Sequence, residues 1–207
     1  MNAKQTILSK TIVALDNMSQ QEVEIFLNNN HKSITHIKIG LELFFLLGPE
    51  YIKLVHKQFN LKIFLDLKLH DIPNTVSKAI KSLHGLPIKF LTIHLSGGIE
   101  MIKQAQIAAA NYLPDTKLLG VSYLTSLASS DFNEIWNIKE VEIQDSFIRL
   151  FQVASNVNLD GLILSPHELI MAKQVEEKSK HNFIKITPGI RFLDEINSDN
   201  TQDQKRI

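Results

Sequence analysis

Residues 64–76 read FLDLKLHDIPNTV and bring two carboxylates and an ammonium close together in Asp66, Lys68 and Asp71. On an extended strand alternate side chains share a face, so Asp66 and Lys68 point the same way, ~6–7 Å apart along the chain. Leu65, Leu67 and Leu69 take the opposite face. An isolated D-x-K pair is most often a solvated ion pair. Buried, the same pair costs several kcal/mol per ion unless each charge is partnered, and carboxylates beside a buried lysine favour its ammonium form. A lysine held in that way can stabilise negative charge developing in front of it and then give up a proton. Asp71 follows where the strand has ended, and Asp71-Ile72-Pro73 turns the chain towards a helix.

Other polar residues recur at the ends of apolar runs: Asp16 after TIVAL, Lys38 within HIKIG, His94, Thr125, and the turn from Pro188 to Arg191. Arg191, directly after Pro-Gly, suits bidentate contact with a phosphate, although a strand-end arginine is more often a surface residue. The eight histidines lack metal-ligand spacing and there is no cysteine, so neither a metal site nor a thiolate or disulfide is expected.

The elements that must place these groups are legible from periodicity. Seven β-rich runs occur at 11–16, 36–40, 63–67, 90–94, 117–123, 161–164 and 183–187, with amphipathic stretches such as 19–29, 100–112 and 145–156 between them. Ser19 followed by Glu22 forms a capping-box pattern, and Pro49 and Pro166 stand where first helical turns would begin. Strand–helix alternation with nearly continuous apolar strands predicts an α/β fold whose parallel sheet is covered by helices. The first strand leads into NMSQQE, without the glycines of a dinucleotide-binding turn. The (β/α)8 TIM barrel is therefore favoured, since it gathers strand C-termini on one face where chemistry is done. Residues 192–207 are polar and read as loop running into a helix, so the eighth strand is missing from the sequence and the single barrel domain over residues 1–207 is expected to be C-terminally incomplete.

With 22 basic and 22 acidic residues the chain is formally neutral, which removes the bulk electrostatic reason to expect a nucleic-acid or anionic-membrane partner. The apolar run 41–47 falls far short of the ~20 residues that cross a bilayer. A cytoplasmic protein is expected. The stripe Phe44-Phe45-Leu46-Leu47 and the single Trp136 suit either the core or a dimer contact.

D-x-K-x-x-D-I-P-N-T, preceded by VALD (13–16) and KIG (38–40) and followed by LTS (124–126) and PGIR (188–191), resembles the orotidine 5′-phosphate decarboxylase family, bacterial type, in order along essentially the whole chain. The D-x-K-x-x-D frame is shared with a wider decarboxylase and aldolase superfamily, whereas I-P-N-T is much more specific. The resemblance implies conversion of orotidine 5′-phosphate to UMP and CO2, the last step of de novo pyrimidine biosynthesis, with no cofactor. It implies that Lys68 protonates C6 within an array of Lys38, Asp66, Lys68 and Asp71, and that Asp16 and Lys38 hold the ribose. It further implies a homodimer in which Asp71, Ile72 and Thr75 enter the partner's site, with Thr125 at the base, Arg191 and Gln204 at the phosphate, and Pro188 among the substrate-binding residues. Two alternatives remain beside it: a Mg2+-dependent sugar-phosphate decarboxylase of the same superfamily, and a non-catalytic nucleotide-phosphate-binding or dimerisation module.

Overall fold

The computed structural model describes residues 7–189. Strands and helices alternate through it: β1 (Ile12–Ala14), α1 (Gln20–Asn30), β2 (His36–Gly40), α2 (Leu41–Phe59), β3 (Lys62–Leu69), α3 (Pro73–Ser82), β4 (Ile88–His94) and α4 (Gly98–Tyr112). β5 (Lys117–Val121), α5 (Ser129–Trp136), α6 (Ile143–Asn156), β6 (Gly161–Ile163), α7 (Leu169–Ser179) and β7 (Ile184–Ile186) follow. Each of the seven expected strands is present. The sheet order is β1-β2-β3-β4-β5-β6-β7, and the pairs β1–β2, β2–β3, β5–β6 and β6–β7 are parallel. A doubly wound sheet would reverse its strand order at a switch point; unbroken sequential order is the topology of the (β/α) barrel. Among the described residues there are seven strands, and the expectation for residues 192–207 lies outside them.

Two compact units divide the described residues. One runs to Thr92 and takes up Gln104–Leu118; the other comprises Ile93–Lys103 and the chain from Leu119 onward. In the first unit the strand register sorts residues by face. Lys38 pairs with Ala14 and Phe64, and Gly40 pairs with Asp66. Because side chains alternate, Ile37, Ile39, Ile63 and Leu65 share the opposite face, where each is at most 1 % exposed. Val23 and Leu27 of α1, Ile52 and Val55 of α2, and Val76 and Ile80 of α3 are each at most 2 % exposed and form the helical cover. Burying one such aliphatic side chain contributes ~1.5–3 kcal/mol, so a slip of one residue, which would exchange the two faces, is strongly opposed.

Local signals hold where expected. Ser19 caps α1 with the full capping box: the Ser19 N–H donates to Glu22 Oε2 at 2.7 Å, and the Glu22 N–H donates to Ser19 Oγ at 3.3 Å. α2 is broken at Gly48, whose φ of 69° and ψ of −179° suit a residue without Cβ, so Pro49 starts its second half. Pro166 opens a short 3-10 turn leading into α7.

The second unit has an aromatic centre of its own. Tyr123, Phe132, Trp136 and Phe147 meet at ring-centroid distances of 4.8–6.0 Å. Phe132 is fully buried, while Trp136 is 44 % exposed at the margin of the cluster. Among the described residues no helix is long and apolar enough to cross a membrane.

Candidate active site

Four of the charged residues singled out above come together at the C-terminal ends of β1, β2 and β3. The Leu15 N–H donates to the Lys38 carbonyl at 3.1 Å, extending the β1–β2 ladder and fixing the residue that follows, Asp16. Lys38 Nζ donates to both carboxylate oxygens of Asp16, at 2.7 and 2.6 Å, and stands 3.9 Å from Asp66 Oδ2. Lys68 Nζ donates to that same Oδ2 at 2.7 Å. Carboxylate and ammonium thus alternate from Asp16 through Lys38 and Asp66 to Lys68.

Exposure grades along this chain of charges. Asp66 is the most buried, its side chain 12 % exposed, with Lys38 at 18 %, Asp16 at 30 % and Lys68 at 32 %. The innermost carboxylate is therefore flanked by two ammonium groups, as a desolvated charge requires, and the ammonium of Lys68 stands at the accessible end. Below the array on the same face lies an aromatic layer: Phe64 meets Phe90 edge-on at 6.1 Å, and Phe90 stacks on His36 at 6.2 Å.

Two residues that sequence reasoning passed over hold the array. Thr92, in the middle of β4 and completely buried, donates its hydroxyl to Asp66 Oδ1 at 2.9 Å and accepts the Lys68 N–H at 2.8 Å. The signal was present in FLTIH: a hydroxyl in the interior of an apolar strand must find partners. Gly40 is the other. A Cβ there would lie 2.9 Å from Asp16 Oδ1 and 3.6 Å from Lys38 Nζ, so the glycine of KIG is what lets the Asp16–Lys38 pair close over β2.

Asp71, Ile72 and Thr75 follow the end of β3, in the same unit as the array. Asp71 is exposed, and its carboxylate accepts the N–H of Ile72 at 2.7 Å. Ile72 is 66 % exposed and Thr75 is exposed on the first turn of α3. Beside them opens a cleft of about 420 Å3, lined by Leu41, Phe44 and Phe45 of α2, by Lys68 to Asp71, and by Thr75 and Val76. Phe45 and Leu46, 78 % and 66 % exposed, are not core residues. Thr125 and Pro188, both partly buried, belong to the second unit, after β5 and β7. Arg191 and Gln204 lie outside the described residues. Among the described residues no group of three or more His, Asp or Glu side chains is placed to hold a metal ion.

Residues 9–207 match the profile of the orotidine 5′-phosphate decarboxylase / HUMPS family. The chain belongs to this family. A relative from Staphylococcus epidermidis named orotidine 5′-phosphate decarboxylase is 40 % identical over 180 residues, covering 87 % of this chain and 76 % of the relative. The crystal structure of orotidine 5′-phosphate decarboxylase from Lactobacillus acidophilus superposes with a TM-score of 0.74 at 36 % identity, covering 87 % of this chain and 81 % of that one. The orotidine 5′-monophosphate decarboxylase of Methanocaldococcus jannaschii, solved with the inhibitor BMP, shares the fold at 21 % identity, with a TM-score of 0.69 over 88 % of this chain and 78 % of that one. The expected family and its barrel fold are borne out.

Proposed function

We propose that this chain decarboxylates orotidine 5′-phosphate to UMP and CO2 in the cytoplasm, the last step of de novo pyrimidine biosynthesis, with Lys68 as the proton donor and with no metal or organic cofactor. The observation that carries this reading is the ammonium of Lys68, 2.7 Å from a buried carboxylate that a second ammonium also neutralises. Loss of CO2 from C6 leaves an electron pair in an sp2 orbital that the pyrimidine ring cannot delocalise. A fixed positive charge at that carbon stabilises the pair electrostatically, and the pair then takes a proton from Nζ. The lysine regains its proton from water, so the turnover consumes one proton and releases UMP and CO2.

Asp66 contributes a second, smaller effect. Two like charges ~4 Å apart cost about 4 kcal/mol at an effective dielectric of 20, and departure of the substrate carboxylate from beside Asp66 would relieve that repulsion. Enzymes supply roughly 8–23 kcal/mol of barrier reduction, so preorganised positive charge carries more of the work, supplemented by phosphate binding remote from the reacting carbon. In this reading Asp16 and Lys38 hold the ribose hydroxyls, Thr125 the base, and Arg191 and Gln204 the phosphate, with Pro188 also against the substrate.

The site is completed across a homodimer. Asp71, Ile72 and Thr75 are exposed, and Asp71 and Thr75 line a cleft together with Phe44 and Phe45, which supports their delivery to a partner's array. Absorbance of the orotate ring tests both halves of the reading. Lys68→Ala and Asp71→Asn should each abolish turnover, and a re-equilibrated equal mixture should regain about a quarter of the wild-type rate, because half the dimers then carry one intact site. Turnover by Lys68→Ala alone would exclude Lys68 as the proton donor, and a silent mixture would exclude the shared site.

A further inference from the structure

Lys68 departs from the strand that carries it. Its φ is +47°, in the left-handed region that a lysine rarely enters, and such a conformation persists only where the surroundings enforce it. The enforcing contact is visible. The Lys68 N–H donates to the hydroxyl of Thr92 at 2.8 Å, and that hydroxyl in turn donates to Asp66 Oδ1 at 2.9 Å. A backbone N–H can only donate and a carboxylate can only accept, so the single Thr92 oxygen has its direction fixed from both sides. Thr92 itself cannot drift: it is completely buried, as are its strand neighbours Leu91 and Ile93.

The latch divides the work of Asp66. One carboxylate oxygen is held by Thr92, which leaves Oδ2 turned to the ammonium groups of Lys68 and Lys38, at 2.7 and 3.9 Å. At the same time the left-handed turn takes Lys68 out of the regular alternation of β3, redirecting its Cα–Cβ bond. A single hydroxyl thus sets both the backbone from which the proton donor projects and the carboxylate that meets it. We propose that Thr92 is a positioning residue for Lys68, acting through the backbone and through Asp66 without touching substrate. The proposal rests on the decarboxylase reading above, and its test separates the two.

Thr92→Val keeps the shape and removes the hydroxyl, whereas Thr92→Ser keeps the hydroxyl. With wild-type turnover of orotidine 5′-phosphate established first, Thr92→Val should lower kcat by roughly 10- to 100-fold, the scale of a donor displaced by about an ångström. KM should change less than threefold, and Thr92→Ser should restore kcat to within about threefold of wild type. Wild-type kcat in Thr92→Val, or equal impairment of the two variants, would overturn the proposal. If the wild-type chain does not turn over, the decarboxylase reading fails by itself, and the latch is read from protein labelled with 13C at lysine Cε. The Lys68 resonance, assigned by its absence in Lys68→Ala, should move in Thr92→Val and stay in place in Thr92→Ser; no movement in Thr92→Val overturns it. If Thr92→Val does not fold, amide exchange in the wild-type chain decides. A protected Lys68 N–H supports the latch, and one that exchanges freely overturns it.

Discussion

Replacing Gly40 with alanine should test how closely the array depends on the space above β2. Gly40 closes β2 beside Asp66 with φ −88° and ψ −175°, extended backbone that alanine adopts without strain. The substitution restricts the unfolded chain, which favours the fold by about 0.4–1 kcal/mol. The new Cβ would nevertheless stand 2.9 Å from Asp16 Oδ1, inside the ordinary non-bonded separation of about 3.5 Å, so the carboxylate must withdraw by roughly half an ångström. Asp16 holds Lys38 through both oxygens, at 2.7 and 2.6 Å. Losing one charge-assisted hydrogen bond costs about 1.5–3 kcal/mol, and the 30 % exposure of the Asp16 side chain places this one at the lower end. At 1.36 kcal/mol per decade, kcat/KM for orotidine 5′-phosphate should fall roughly ten- to fiftyfold. The same lost bond outweighs the 0.4–1 kcal/mol gained from the unfolded chain, so the melting temperature should fall by ~1–4 °C. Absorbance kinetics and a thermal melt on the same preparation measure both. Wild-type kcat/KM in a protein with a wild-type melt would refute the role given to Gly40, because the pair would then tolerate a methyl group where no room for one exists.

Two further predictions concern stability. His36 is buried against Phe90, and burial, then the charges of Lys62 and Lys89, hold its imidazole below the ordinary histidine value. The folded state therefore prefers the neutral ring; this contribution is present above the unfolded value of ~6.5 and is lost as pH falls through the lower folded value. The urea midpoint should drop between pH 7.5 and pH 5.5, and His36→Gln should flatten that dependence; parallel pH profiles would remove His36 as its cause. Tyr51 of α2 is 7 % exposed, and its hydroxyl has no hydrogen-bond partner among the described residues. Since an unsatisfied buried hydroxyl costs about 1–3 kcal/mol, Tyr51→Phe should raise the melting temperature by a few degrees, and a lower melting temperature would mean that the hydroxyl is solvated.

Much of the chain could be read in one dimension because its signals are local. β2 occupies residues 36–40 as its β-branched pattern requires, and α1 begins after Ser19 because the reciprocal hydrogen bonds of a capping box need only residues three apart. The motif residues Asp16, Lys38, Asp66 and Lys68 were likewise identifiable, since charges at the ends of apolar strands stand out against their neighbours. Strand lengths were less legible. β3 runs from Lys62 to Leu69, longer than its apolar run: its pairing with β2 takes in Lys62 at one end and stops at Asp66, and the strand continues past that point through Lys68. Phe45 shows the opposite failure: an apolar stripe names a surface that wants cover without saying whether the core or another molecule supplies it.

Periodicity and motif order alone established the alternating α/β architecture, the family resemblance and the identities of the charged groups. Which oxygen meets which nitrogen belongs to the tertiary structure. The division of Asp66 between Thr92 and two ammonium groups, the left-handed backbone of Lys68, and the Asp16 carboxylate closing over Gly40 all arise from strands distant in sequence being set side by side. Spacing along one strand specifies a face; the position of a charge to within an ångström depends on what the neighbouring strand places opposite it.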